Sequence, residues 1–291
     1  MIEFNKVSKT FKRQRVLDGL DLEIGLGERI ALIGSNGAGK TTMIRCLLGE
    51  YVHDGKVLVH GLAPRQNRQA VLSRIGFVPQ LPPPLKMPVG QLLEFSASVC
   101  NSEKQRMVEI AKRLGLDVEQ MKHQPFVKLS GGQKQKLLIS IALGRDSNIL
   151  VLDEPAANLD PDARQIFFGL LAERLENTTM LISSHRLDEV SALVNRVIEM
   201  DRGKVVLDDK VADEVSLTGK LDCSLSLRRS EESITKALSH WGFTDMGGGL
   251  AWQGKVAGPD RLRFLGMVSR YVGILTAIHL EESPQDGKDE K

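Results

Sequence analysis

The run Gly34-Ser35-Asn36-Gly37-Ala38-Gly39-Lys40-Thr41 fits the pattern G-x-x-x-x-G-K-[ST]. Glycines at that spacing let backbone N–H groups close around phosphate oxygens. The following helix N-terminus adds a favourable dipole, Lys40 reaches the outer phosphates, and the Thr41 hydroxyl can ligate Mg²⁺. Chance gives on the order of 0.02 such matches in a chain of this length. The context agrees with the motif: Arg29 to Ile33 predicts an apolar strand before it, and Thr42 to Leu48 a helix after it.

Ile149-Leu150-Val151-Leu152-Asp153-Glu154 predicts a buried strand that ends in two carboxylates. That places Asp153 beside a metal and Glu154 where a water is polarised, and phosphoryl transfer to water needs both roles. Alone, such a strand end is more often simply solvated; coexistence with the phosphate loop reverses that preference. Leu129-Ser130-Gly131-Gly132-Gln133 precedes a helical pattern from Lys134 to Leu143. Ser130 and the two glycines read either as a plain N-cap or as a second helix-entry anion site, roughly 90 residues from the first. One nucleotide does not need two such sites in one chain.

The elements that must position these residues emerge from the rest of the pattern. Short β-rich runs alternate with helical ones from Ile2 to about Leu207, which predicts a mainly parallel sheet covered by helices. Strands are expected at Ile2 to Val7, Arg29 to Ile33, Ile75 to Val78, Ile149 to Leu152, Met180 to Ser183 and Val197 to Met200. Pro82-Pro83-Pro84 and Pro88 interrupt this order, and Gln91 to Val99 and Glu103 to Leu114 read as helices of an insert running to Arg145. Beyond Leu207 the vocabulary changes. Leu221 to Leu227 alternates with period two, Glu231 to Trp241 is helical, Leu250 to Val256 a strand, Pro259 to Tyr271 a helix and Ile274 to Leu280 a strand, a small βαβαβ unit of its own.

Composition bounds the function. At roughly 150 residues per domain, 291 residues suggest about two domains, and 42% hydrophobic with 26% charged residues lies in the globular range. Lys+Arg 39 against Asp+Glu 37 leaves +2 with the basic residues scattered, so no field is built to hold a nucleic-acid backbone. Cys46, Cys100 and Cys223 are far apart, which fits core thiols in a reducing compartment and argues against disulfides or a zinc site. The six histidines show no ligand spacing with them. The start, Met1 to Lys6, has no apolar core, and the longest apolar stretch, around Leu137 to Leu143, is far short of the roughly 18 residues of a spanning helix.

Taken together, the phosphate loop, the Ser130-Gly131-Gly132-Gln133 string and the Asp-Glu strand resemble the ATP-binding-cassette (ABC) ATPases over about Met1 to Asp208. The resemblance implies a P-loop NTPase cassette of α/β class, with a RecA-like core, a β-subdomain and the helical insert, followed by a small C-terminal α+β domain. The boundaries expected are 1–215 for the cassette, about 82–145 for its helical subdomain, 220–282 for the accessory domain and 283–291 for a disordered tail. It implies ATP and Mg²⁺, held by Phe11 against adenine and by Gly34, Ser35, Asn36, Gly37, Ala38, Gly39, Lys40, Thr41 and Thr42, with Thr41, Gln80 and Asp153 on the metal. Catalysis falls to Glu154, Gln80, Lys40 and the switch histidine His185. In a head-to-tail homodimer, Ser130, Gly131, Gly132 and Gln133 reach the partner's nucleotide, and Asp160 lies in the loop crossing the interface. Two departures stand out: the adenine aromatic is usually Tyr, and the interface loop reads Ala157-Asn158-Leu159-Asp160 where the family often has Ser-Ala-Leu-Asp or Val-Gly-Leu-Asp.

The resemblance further implies a subunit on the cytoplasmic face of the inner membrane. It drives separate permease chains, with a periplasmic or additional transporter subunit as a further partner, and the insert next to Gln80 is the coupling surface. The Asp153-Glu154-Pro155 to Leu159-Asp160-Pro161 order with a short extension resembles bacterial export or maturation ATPases, and more narrowly those of copper-processing systems for nitrous-oxide reductase. The alternative is a non-transport ABC ATPase acting as a soluble switch.

Overall fold

The computed structural model describes residues 1–175, 178–184, 187–210, 220–257, 264–265, 267–268, 271 and 273–282. They divide into two compact units, Met1–Val211 and Ala212–Lys291.

The first unit is built on a six-stranded sheet. Its strands are β3 (Arg29–Ile33), β5 (Ile75–Val78), β6 (Ile149–Asp153), β7 (Thr179–Ser183), β8 (Arg196–Asp201) and β9 (Lys204–Lys210), ordered β5-β6-β7-β3-β8-β9. The first five in that order run parallel, and β9 returns antiparallel to β8. Every residue of β6 and β7 is buried, as continuous apolar runs in a doubly covered parallel sheet require. A separate antiparallel sheet of β1 (Ile2–Phe11), β2 (Gln14–Ile24) and β4 (Asp54–Val59), ordered β2-β1-β4, holds two strands, β2 and β4, that were not among those expected. Phe4, Leu22 and Val57 of that sheet share a core with Ile30 and Val151 of the larger one and with Ile44 and Leu47 of α1 (Lys40–Leu47). Burying each such side chain contributes roughly 1.5–3 kcal/mol.

After α2 (Arg68–Leu72) and β5 come α3 (Val89–Cys100), α4 (Lys104–Arg113), α5 (Val118–Met121) and α6 (Gly131–Gly144). Leu92 and Leu93 of α3, Met107 and Ala111 of α4, and Leu137 of α6 make a core of their own. Gly144 is what lets α4 and α6 approach: a Cβ there would lie 2.5–2.9 Å from atoms of Met107. On its other side α6 joins α7 (Pro161–Ala172) against the sheet, through Leu143, Leu150, Leu152, Phe167 and Ile182. The short α8 is Leu187–Val190.

In the second unit, β10 (Lys220–Leu227), β11 (Thr244–Asp245), β12 (Ala251–Ala257) and β13 (Leu275–Glu282) form an antiparallel sheet ordered β11-β12-β10-β13, with α9 (Glu232–His240) between β10 and β11 in the chain. The added two-residue β11 turns the expected βαβαβ order into the split βαβ arrangement of ferredoxin-like domains, in which β10 and β11, joined by α9, are separated by β12. Of the helix expected over Pro259 to Tyr271, Phe264, Leu265, Met267 and Val268 are helical and most of the rest lies outside the described residues, as does the tail 283–291. Leu225, Ile234, Leu238, Trp252 and Phe264 fill this unit's core.

Candidate functional site

The chemistry-bearing residues gather at the carboxyl ends of the parallel strands, where open α/β sheets leave a crevice. A cleft of about 330 Å³ is lined by Ser35 to Thr42 after β3, Gln80 beyond β5, Asp153 and Glu154 at the end of β6, and Val16 of β2. Gly34 has φ of 144° and a Cβ on it would stand 2.3 Å from the Met200 carbonyl oxygen, so no side chain fits where the loop leaves β3. Lys40 is 7% exposed; its ammonium donates to the carbonyl oxygens of Gly34 at 2.6 Å and Ser35 at 3.3 Å, curled over its own loop.

Asp153 is buried and accepts a 2.6 Å hydrogen bond from the Ser183 hydroxyl. Glu154 has φ of 47°, a left-handed backbone that residues with a Cβ seldom adopt. Its backbone N–H donates to the Ser183 hydroxyl at 2.9 Å. Thr41, Gln80 and Asp153 thus face one cleft with hydroxyl, amide and carboxylate oxygens, a hard donor set that suits Mg²⁺ completed by phosphate oxygens. Among the described residues no group of three or more His, Cys, Asp or Glu is placed to hold a metal by itself.

The other expected site residues lie apart from this cleft. Ser130 is the N-cap of α6 in a reciprocal capping box: the Gln133 N–H donates to its hydroxyl at 3.2 Å, and the Ser130 N–H donates to the Gln133 side chain at 3.0 Å. The N-cap reading of that string is the one seen: capping occupies Ser130 and Gln133, while Gly131 is exposed and Gly132 half-buried at the helix entry. Asp160 caps α7 through the Ala163 N–H at 2.9 Å and pairs with Lys136 of α6 at 2.8 Å. Lys136 first, and the Ala163 amide second, hold its carboxyl below the usual range. Two more contacts bind the same segment to α6: Gln135 donates to the Pro155 carbonyl at 2.9 Å, and a Cβ on Gly132 would lie 3.2 Å from the Asn158 carbonyl oxygen. Positions 132, 135 and 136 share one helix face, so residues 155–160 run along that face.

Phe11, 38% exposed at the end of β1, meets Tyr51 edge-on at 5.2 Å, with the Lys9 ammonium 4.7 Å from its centroid. It does not line the cleft, whereas Val16 does. His185 lies outside the described residues. The residues that sequence reasoning missed are Val16, Ser183, Gln135 and Lys136; only the last two had a local signal, standing directly after the Ser130 to Gln133 string.

Residues 17–157 match the family described as ABC transporter. The Nod factor export ATP-binding protein I of Paraburkholderia xenovorans is 30% identical over 234 residues, 77% of this chain and 75% of that protein. This chain belongs to the ATP-binding cassette ATPases of ABC transporters. The glutamine transport ATP-binding protein GlnQ of Escherichia coli is 32% identical over 220 residues, 72% of this chain and 90% of that protein. Among solved structures, an ATP-binding subunit of an ABC transporter superposes with a TM-score of 0.67 at 22% identity, covering 74% of this chain and 91% of that one. A dimeric cassette in a post-hydrolysis state, bound to ADP and Pi, does so with 0.65 at 23% identity, covering 72% and 99%. At these identities the structures speak for the fold. This ABC ATPase has, among its described residues, no helix long and apolar enough to cross a membrane.

Proposed function

We propose that this ABC ATPase is the nucleotide-driven subunit of a transporter whose membrane permease is a separate chain, and that it works as a head-to-tail homodimer with two nucleotides sandwiched between copies. One observation carries the reading: the cleft holds the phosphate loop, Gln80, Asp153 and Glu154, while the Ser130 to Gly132 helix entry lies outside it in the same chain. A helix N-terminus offers free amides and positive dipole to phosphate, and a second copy can bring it over the cleft. Within each site, the loop amides and Lys40 hold the outer phosphates, and Thr41, Gln80 and Asp153 would hold Mg²⁺. Such an ion would neutralise charge on the phosphate oxygens. In this reading Glu154 orients and deprotonates the attacking water, the role of His185 is to contact the terminal phosphate, and that of Phe11 is to stack on the base.

Docking of the permease is supported by exposed apolar side chains of the insert: Leu81, next to Gln80 in the chain, at 74% exposure, and Phe95 and Val99 on one face of α3 at 56% and 60%. Such a partner puts the chain on the cytoplasmic face of the membrane. Export is the direction we favour, with the Nod factor export ATP-binding proteins among the relatives, 30% and 32% identical, in its support. The test is Glu154→Gln. It should keep ATP affinity, lower turnover by about 10²–10⁴, and accumulate as an ATP-bound dimer. Wild-type turnover, or a monomer in saturating MgATP, refutes the assignment.

A further inference from the structure

We propose that Ser183, at the end of β7, is a positioning residue that sets Asp153 and Glu154 for separate tasks. The inference rests on the catalytic reading of those two carboxylates. Consecutive residues of a strand point to opposite faces, so Asp153 and Glu154 should not share a cleft. They do. The left-handed turn at Glu154, φ 47°, breaks the alternation, and a residue with a Cβ holds that conformation only where its surroundings impose it.

Ser183 supplies the constraint. It sits directly beside Asp153 in the parallel β6–β7 register and is fully buried. Its one hydroxyl proton goes to the Asp153 carboxylate at 2.6 Å, which leaves its lone pairs to accept the Glu154 N–H at 2.9 Å. The Ser183 carbonyl oxygen, 3.3 Å from the same N–H, completes the clasp. A single hydroxyl therefore fixes the rotamer of the metal-side carboxylate and the backbone turn that aims the water-side one. A residue without it leaves Asp153 buried with one donor fewer and lets Glu154 relax.

The experiment compares Ser183→Val with Ser183→Thr in the full chain: the two variants have the same shape and differ in the hydroxyl. Val should lower kcat about 10²-fold, the effect of displacing a catalytic group by roughly 1 Å, while KM for ATP changes less than about threefold. Binding of a fluorescent ATP analogue in EDTA should be unchanged, and the gain in its affinity on adding Mg²⁺ should shrink. Thr should keep kcat within about threefold of wild type. Equal kcat in the two variants, or an unchanged Mg²⁺ gain in the Val variant, overturns the proposal. Should the Val variant not fold, Ser183→Ala removes the hydroxyl alone and is judged by the same two readouts. Asp153→Asn and Glu154→Gln are run beside it. If they retain turnover, the catalytic reading has failed; if they lose it while Ser183→Val does not, only the role of Ser183 falls.

Discussion

Arg196 of β8 offers the sharpest test of how the two sheets of the cassette are joined. Its guanidinium grips Asp208 of β9 in a fork, at 2.7 and 2.6 Å, and donates to Glu28 at 2.5 Å and to the Glu23 carbonyl of β2 at 2.8 Å. Replacing it with Met keeps the apolar stem and removes all four bonds. Glu28 retains Lys210 at 3.1 Å, so its loss is partial, and the side chain of Asp208 is 37% exposed, so water relieves part of its loss. Breaking a buried pair outright costs about 3–5 kcal/mol; with those two reductions Arg196→Met should cost about 2–3 kcal/mol. For a unit of this size that lowers Tm by about 4–12 °C. The pH dependence has a definite sign. The Arg196 hydrogen bond holds the Asp208 carboxyl below its ordinary range; burial raises that of Glu28, but the Gly25 amide, Lys210 and Arg196 outweigh it. Groups with depressed folded values stabilise above their unfolded pKa of about 4, and the stabilisation is lost as pH falls through the folded values. Urea unfolding followed by circular dichroism from pH 7 down to about 3.5 should therefore show the gap between wild type and Arg196→Met closing below about pH 4. An unchanged midpoint at pH 7, or a gap that stays constant with pH, refutes the reasoning.

Mixing a Ser130→Arg subunit with a Lys40→Ala subunit should give heterodimers in which both lesions fall in one composite site and the other is intact. ATPase activity of the mixture should exceed that of either parent, and a verified heterodimer without activity refutes the trans geometry or makes two working sites obligatory. A chain ended after Val211 should bind ATP with the affinity of the full chain, because the described residues of the second unit contribute nothing to the cleft lining. Equilibrium titration with a fluorescent ATP analogue checks this, and a loss of affinity beyond about threefold in a folded product places the second unit in the active site.

The parts of the site that are contiguous in the chain were legible in the sequence. The eight-residue phosphate loop carries its own glycines, and the apolar runs of β3 and β6 begin within a residue of where the pattern puts them. Legibility ended where function depends on which strands are neighbours. Ser183 lies 30 residues after Asp153 and acquires its role only because β6 and β7 pair in register. Val16 likewise reaches the cleft from the other sheet: its strand alternates plainly from Leu20 to Ile24, but the repeat breaks at Asp18-Gly19, where Gly19 has φ of 62°, so nothing tied Val16 to it. The β1–β2 turn runs through Lys12 at φ 55° with no Gly, Pro or Asn to announce it. In the second unit the two-residue β11 is too short to leave any period.

The ties between α6 and residues 155–160 set a rule for how the chain can change length. The segment meets the helix at three points, Pro155 on Gln135, Asn158 against Gly132 and Asp160 on Lys136, whose spacing a rigid helix fixes and which leave only two residues and then one between contacts. Lengthening or shortening the stretch between them by one residue must break an anchor or shift α7, whose first turn Asp160 caps. Surface connections ordinarily tolerate such changes at small cost. This one is exposed at Ala157 and Asn158, yet its residue count is dictated by the helix beneath it, and an indel scan across 155–160 should be as intolerant as one through a buried strand.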